Sequence, residues 1–297
     1  MPVASSTRRV WLTNMAAGCV GGLTASLAIA AVEKRTPLKF AIVTDTHLGR
    51  QDKTTAQKQF QAIADELAEV DVEFVLHLGD VVDAGRVEQY SVYKDIRDSI
   101  GKPVHEIPGN HDPADAFAKE IRREVDTTVD HDWLRVVLVN NARRTSHDGF
   151  FEQEQLDWLE EKCQAAAGEN RVLLICCHVP VHTNRPPDRA WYVKPEHGQK
   201  RFYEILSRFN GRVAGIFHGH FHNGLRGWDD RAPLHEICFP SAVYNQNRGL
   251  EAKDAPGYNP EEFRAGYCLA ALGDGKLTLN YQPTGEDAAV TKTMACV

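Results

Sequence analysis

Phe74-Val75-Leu76-His77-Leu78-Gly79-Asp80-Val81-Val82-Asp83 is an apolar, β-like run that stops at a glycine and delivers a carboxylate. Four other segments are built the same way. Phe40 to Val43 leads into Asp45-Thr46-His47, and Val104 to Ile107 leads into Gly109-Asn110-His111-Asp112. Val172 to Cys176 leads into Cys177-His178-Val179-Pro180, and Val213 to Phe217 into Gly219-His220-Phe221-His222. Strands alternating with helical segments make open α/β sheets, where side chains at the carboxyl ends of the strands converge on one crevice. All five turns are therefore expected at a single site.

The donor atoms are carboxylate oxygens, imidazole nitrogens and one Asn carbonyl, with no thiolate. Such a set suits Mn, Fe or Zn better than copper or an iron–sulfur cluster. Seven groups are too many for one tetrahedral ion, but they divide over two ions that share a carboxylate. A lone Asp or Asn after a strand is usually a turn former or a helix cap. Independent turn formers would not supply all five blocks in this order.

Written as D-x-H, G-D-x-x-D, G-N-H-D, a lone His and G-H-x-H, the chain resembles the calcineurin-like metallophosphoesterase superfamily over roughly residues 38 to 282. Its spacing is most similar to the branch of cyclic-nucleotide and glycerophosphodiester phosphodiesterases. The resemblance implies an α/β fold in which a two-sheet β-sandwich is flanked by helices on both outer faces, four layers in the order αββα. It implies Asp45, His47 and His222 at a first metal, Asn110, His178 and His220 at a second, and Asp80 between them. His111 would sit over the phosphoryl group and protonate the leaving oxygen, with Asp83 and Asp112 supporting the ligands. Purple acid phosphatases carry a Tyr three residues after the shared Asp, where this chain has Asp83, so an iron–tyrosinate centre is not expected.

The function implied is that of a binuclear metal-dependent phosphoesterase acting on a small phosphodiester or phosphomonoester. Two cations about 3.5–4 Å apart acidify a bridging water from a pKa of 15.7 toward roughly 7, and its hydroxide attacks phosphorus. His, titrating nearest neutrality, then supplies the leaving-group proton. The alternatives are a nucleotide pyrophosphatase and a non-catalytic scaffold of the same fold. The scaffold conflicts with the presence of His111, His178, His220 and His222. A phosphoprotein phosphatase conflicts with Asp112-Pro113, where that subfamily has a glutamate and an arginine.

Residues 1–30 read as an export signal. Ser6-Thr7-Arg8-Arg9-Val10-Trp11-Leu12 resembles the twin-arginine motif, Asn14 to Ala30 is weakly hydrophobic, and Ala28-Ile29-Ala30 offers a small-x-small cleavage site. The expected organisation is a signal segment at 1–30 and one catalytic domain at 31–297, exported to the periplasm or surface of a bacterium and meeting the membrane only through the signal. Net charge is −7 for the whole chain, and removing Arg8 and Arg9 with the signal leaves −9. That balance argues against a nucleic-acid polymer as main partner, because no basic stripe is visible in the sequence to neutralise its backbone.

Helical periodicity marks Phe60, Ile63, Ala64, Leu67 and Val70, then Tyr93, Ile96 and Ile100, then Leu156, Leu159 and Cys163, and finally Phe202, Ile205, Leu206 and Phe209. Strands are expected again at Leu234 to Phe239, Tyr267 to Leu272 and Lys276 to Tyr281. His77, His105, His147 and His197 fall outside the motif positions and are expected to be structural. The stretch Thr183 to Gly198, with Arg185, Arg189, Trp191 and Tyr192, is a candidate substrate loop, and His182 lies at its entrance. A second long loop, Gln246 to Pro260, could shape the same cleft.

Overall fold

The computed structural model describes residues 35–50, 53–182, 191–222, 225, 234–245 and 260–297. The proposed signal, Arg185, Arg189 and nearly all of the 246–260 loop lie outside them.

β1 (Leu38–Val43), β2 (Phe74–His77) and β3 (Val104–Glu106) pair in parallel, Phe40 opposite Phe74 and Val75 opposite Val104. β1 and β2 are apolar almost throughout because both of their faces are covered. The last strands extend this sheet: β9 (Gly266–Gly273), β10 (Lys276–Pro283) and β11 (Val290–Ala295) give the order β11-β10-β9-β1-β2-β3. β9 and β10 alternate between buried and half-buried residues. They turn at Asp274-Gly275, both at positive φ (50° and 70°), as a tight hairpin with the native strand twist requires.

The second sheet has the order β4-β5-β6-β7-β8: Thr127–His131, Leu134–Leu138, Val172–Cys176, Val213–His218 and Glu236–Cys238. Alternate residues of both sheets form one core: Phe40, Ile42, Phe74 and Leu76 pack with Leu134, Val136, Leu174 and Phe217. The other faces bind helices. Ala41, Val43 and Val75 take α1 (Lys53–Glu69) and α2 (Val87–Ser99) through Phe60, Ile63, Leu67, Tyr90, Tyr93 and Ile96. Val137, Leu173 and Ile175 take α4 (Gln153–Gly168) and α5 (Gln199–Ser207) through Leu156, Leu159, Phe202 and Ile205. The result is the four-layer αββα sandwich.

Side-chain caps set the helix starts. Gln89 accepts hydrogen bonds from the Ala84 and Arg86 amides at the head of α2, and Gln155 does the same for Glu152 before α4. Val70 and Phe209 fall just past the helices whose stripes they continue. The expected strand at Leu234–Phe239 narrows to Glu236–Cys238. β4, β5, β11 and the short α3 (Ala114–Glu120) were not anticipated. Among the described residues no two cysteines are joined by a disulfide. No described helix is long and apolar enough to cross a membrane.

His77 tests how this packing depends on pH. Its ring is enclosed beside Phe60 and Tyr93, at centroid distances of 6.3 and 5.6 Å. Thr46 Oγ1 donates to Val81 O, so it accepts from His77 Nε2 at 3.0 Å. Burial holds the imidazole down to about 3. An unfolded His titrates near 6.5, so between these values the unfolded chain binds the extra proton and stability falls as pH drops below about 6.5. Urea unfolding of metal-free protein should lose about 2 kcal/mol between pH 7 and pH 5 from this residue. His77→Gln should flatten the slope by that amount.

Candidate metal centre

Each motif turn must bend sharply to aim its side chain at the crevice, and the backbone records the cost. Asp45, His47, Asp80, His220 and His222 all have positive φ, between 44° and 75°, a left-handed conformation that L-residues other than glycine adopt only under constraint. Asp45 N donates to Gly79 O and His47 N to Asp80 O, both at 2.9 Å, so the first two turns hold each other. A Cβ on Gly79 would meet the His178 ring at 2.5 Å, and one on Gly109 would collide with the Asp80 backbone and carboxylate. Both motif glycines are demanded by close approach.

Seven buried side chains meet there. Asp45, His47, Asp80 and Asn110 come from the ends of β1, β2 and β3, while His178, His220 and His222 come from β6 and β7. Asp45, His47, Asp80 and His222 place donor atoms within 4.8 Å of one another, as do Asp80, His178 and His220. Asp80 belongs to both groups. Its Oδ2 lies 3.4 Å from both His47 Nε2 and His178 Nε2, and His222 Nε2 lies 3.1 Å from Asp45 Oδ1.

The outward nitrogens are already engaged. His178 Nδ1 donates to Leu78 O at 2.7 Å, His222 Nδ1 to Tyr244 O at 2.9 Å and His220 Nε2 to His147 O at 3.0 Å. His47 Nδ1 lies 3.2 Å from Asp83 Oδ1. The three hydrogen bonds fix the tautomers of neutral His178, His222 and His220 and leave one lone pair per ring for the centre, as metal-binding histidines require, while His47 Nδ1 meets Asp83 without hydrogen-bond geometry. His178 Nε2 and Asn110 Oδ1 are buried without a hydrogen-bond partner. Buried polar atoms without partners are costly, and a cation, taking the place of the proton on His178, would satisfy both. The arrangement fits a pair of metal ions.

The charges agree. Burial pushes the Asp45 carboxyl up, but His222 and His178 outweigh it and hold the group below the usual carboxylate range. Burial acts against Asp80 too, and the His178 and His47 imidazoles hold it well below that range. Burial would lower His178, yet Asp80 lifts it to about 9. Two ionised carboxylates thus occupy a dry site that attracts positive charge.

Asp112, Asp83 and His111 lie beside these turns. Asp112 accepts from the amides of Val81, Val82 and Gly109 at 2.9 to 3.0 Å and so ties two motif turns together. Burial and the Asp80 charge raise its carboxyl to about 7 against those bonds. His111 is anchored by its amide on Asp80 Oδ1 at 2.8 Å, and its Nδ1 lies 3.1 Å from Asp83 O. Its ring packs edge-on against His47 at 4.6 Å. His182 is buried, its amide bonded to Glu236 at 2.8 Å. His147, expected to be structural, instead borders the centre through its bond to His220 and stacks on Trp191 at 4.3 Å. Tyr244, which the sequence did not single out, packs on His222 at 4.3 Å and carries Arg50 over its ring at 4.2 Å. Its place in a Ser- and Asn-containing loop gave no signal.

Adding Mn to chelator-treated protein should raise its thermal midpoint, by the equivalent of about 2.7 kcal/mol at a hundredfold excess over the dissociation constant. Asp80→Asn, which weakens the donor shared by both groups, should abolish most of that rise. An undiminished rise in the variant would remove Asp80 from the centre.

Residues 38–224 match the family model of calcineurin-like phosphoesterases. A 3',5'-cyclic-nucleotide phosphodiesterase of Nostoc sp. is 24% identical over 72% of this chain and 81% of its own length. A probable glycerophosphodiester phosphodiesterase of Arcobacter nitrofigilis is 24% identical over 50% of this chain and 56% of its own. Among solved structures, a dimetal phosphatase from Danio rerio shares the fold with a TM-score of 0.66 at 14% identity, over 87% of this chain and 98% of its own. The chain belongs to the calcineurin-like phosphoesterase family, binuclear metal-dependent hydrolases of phosphoric esters.

Proposed function

We propose that this protein is a phosphodiesterase for a small organic phosphate, working with two metal ions of the Mn, Fe or Zn type. The observation that carries the reading is Asp80, whose Oδ2 faces an imidazole of each donor group while its Oδ1 fixes the amide of His111. Asp45, His47 and His222 would hold one ion, Asn110, His178 and His220 the other, and Asp80 both. Bound there, the ions supply Lewis-acid charge for the phosphoryl oxygens and an acidified water as nucleophile.

The protein's own groups do the rest. As an imidazolium, His111 donates its Nδ1–H to Asp83 O and holds a second proton on Nε2, the one handed to the leaving oxygen. The ring is one-third exposed, unlike the enclosed ligand imidazoles, so a substrate can reach it. Arg144 Nη1 lies 3.5 Å from His111 O at the rim and places a guanidinium where a substrate anion would pass. The names of the Nostoc and Arcobacter relatives favour a diester over a monoester. The Arg8-Arg9 motif supports export as a folded enzyme, and Lys at both positions should retain the protein in the cytoplasm.

Mn-loaded protein beginning at Ala31 should hydrolyse bis(p-nitrophenyl) phosphate faster than p-nitrophenyl phosphate or ADP-ribose. His111→Ala should cost about 10²–10⁴-fold on an alkyl diester, whose leaving group needs a proton, and far less on a p-nitrophenyl ester. Equal losses on both would refute the proton-donor role, and faster turnover of ADP-ribose would replace the diesterase by a pyrophosphatase.

A further inference from the structure

His178 sits two residues past the end of β6, on a segment with no regular structure of its own, yet its ring must be placed to within tenths of an ångström. Asn141 holds the next residue from both sides, accepting from Val179 N at 2.9 Å and donating to Val179 O at 2.6 Å. Beyond it, Glu236 takes over. Its Oε1 accepts from Val181 N at 2.9 Å and His182 N at 2.8 Å, and His218 Nε2 approaches the same oxygen to 2.9 Å, off the hydrogen-bonding axis. Its Oε2 accepts from Tyr203 Oη, on α5, at 2.5 Å. Gln199 on the same helix donates to Val181 O at 2.7 Å.

Glu236 is 2% exposed and stands in β8, a strand whose other residues are buried and apolar. A carboxylate there costs free energy that an aliphatic side chain would not. Its contacts say what it is for. Two of its donors belong to the segment that carries His178, and His218, whose ring lies against the same carboxylate without hydrogen-bond geometry, is two residues before His220. Those imidazoles form one of the two donor groups with Asp80. We infer that Glu236 is a positioning residue for that half of the centre: it ties the His178–His182 segment to β8 and to the end of β7, so that His178 and His220 face one cation. The inference rests on the binuclear reading. Asp45, His47 and His222 form the other donor group, which meets this half through Asp45, acceptor of the His220 amide at 3.0 Å, and through Asp80.

The experiment is calorimetric titration of metal-free protein with Mn alone, on the wild type, Glu236→Ala, Glu236→Gln and, to identify the step, Asn110→Ala. Two binding steps are expected in the wild type. Glu236→Ala should weaken the step that Asn110→Ala removes by about 10–100-fold, the usual size of such outer contacts, and leave the other unchanged. Glu236→Gln keeps Oε1 as acceptor for both amides, so it should restore the weakened step. General destabilisation would weaken both steps alike, and that result, or two wild-type steps in Glu236→Ala, overturns the inference. Should circular dichroism show Glu236→Ala unfolded, Tyr203→Phe takes its place: selective weakening of the same step supports the role and an unchanged titration overturns it. A wild-type chain that takes up no metal overturns the binuclear reading, and this inference with it.

Discussion

A carboxylate that leaves water must find positive charge or donors, and among the described residues Asp80 is answered by imidazoles and one backbone amide. That requirement organises the crevice. It draws His47 and His178 to the same oxygen from opposite sheets, fixes His111 beside it, and shifts Asp112, one turn away, toward protonation. Asp45 repeats the arrangement on a smaller scale with His222.

Holding so many polar groups in a dry space falls to the backbone. Three of the motif turns contain left-handed residues, and the turns are restrained by their neighbours: β1's turn by β2's, the Gly79 and Gly109 turns by Asp112, the His178 segment by Asn141 and Glu236. Polar side chains bonded to main-chain amides and carbonyls do most of this. The glycines between them are there because neighbouring turns lie too close for a side chain.

This division explains what the sequence could reveal. The ligand blocks were legible because each combines an apolar run with a rare residue type, and the β6 run from Val172 to Cys176 coincides with the observed strand. The αββα layering followed from the same blocks through the family they resemble. β5 was missed although Leu134–Leu138 is apolar apart from Arg135, since no motif follows it; β11, reading VTKTMA at a sheet edge, lacks even that pattern. Glu236 was invisible for another reason. A single acidic residue in a short strand reads as an exposed edge position, and its partners at Val181, His182, Tyr203 and His218 are distant in sequence. Tyr244 and His147 likewise meet the centre largely through backbone carbonyls, which carry no side-chain signature.

Each donor group draws on both sheets: His222 of the five-stranded sheet joins Asp45 and His47 of the six-stranded one, and Asp80 crosses to His178 and His220. A cation in either place is thus a cross-link between two separately hydrogen-bonded halves, closing a chain loop from Asp45 to His222 much as a long-range disulfide would. Neither half can make such a bond alone. Metal capture must come after the sheets have docked, so a loaded centre certifies that both halves have folded.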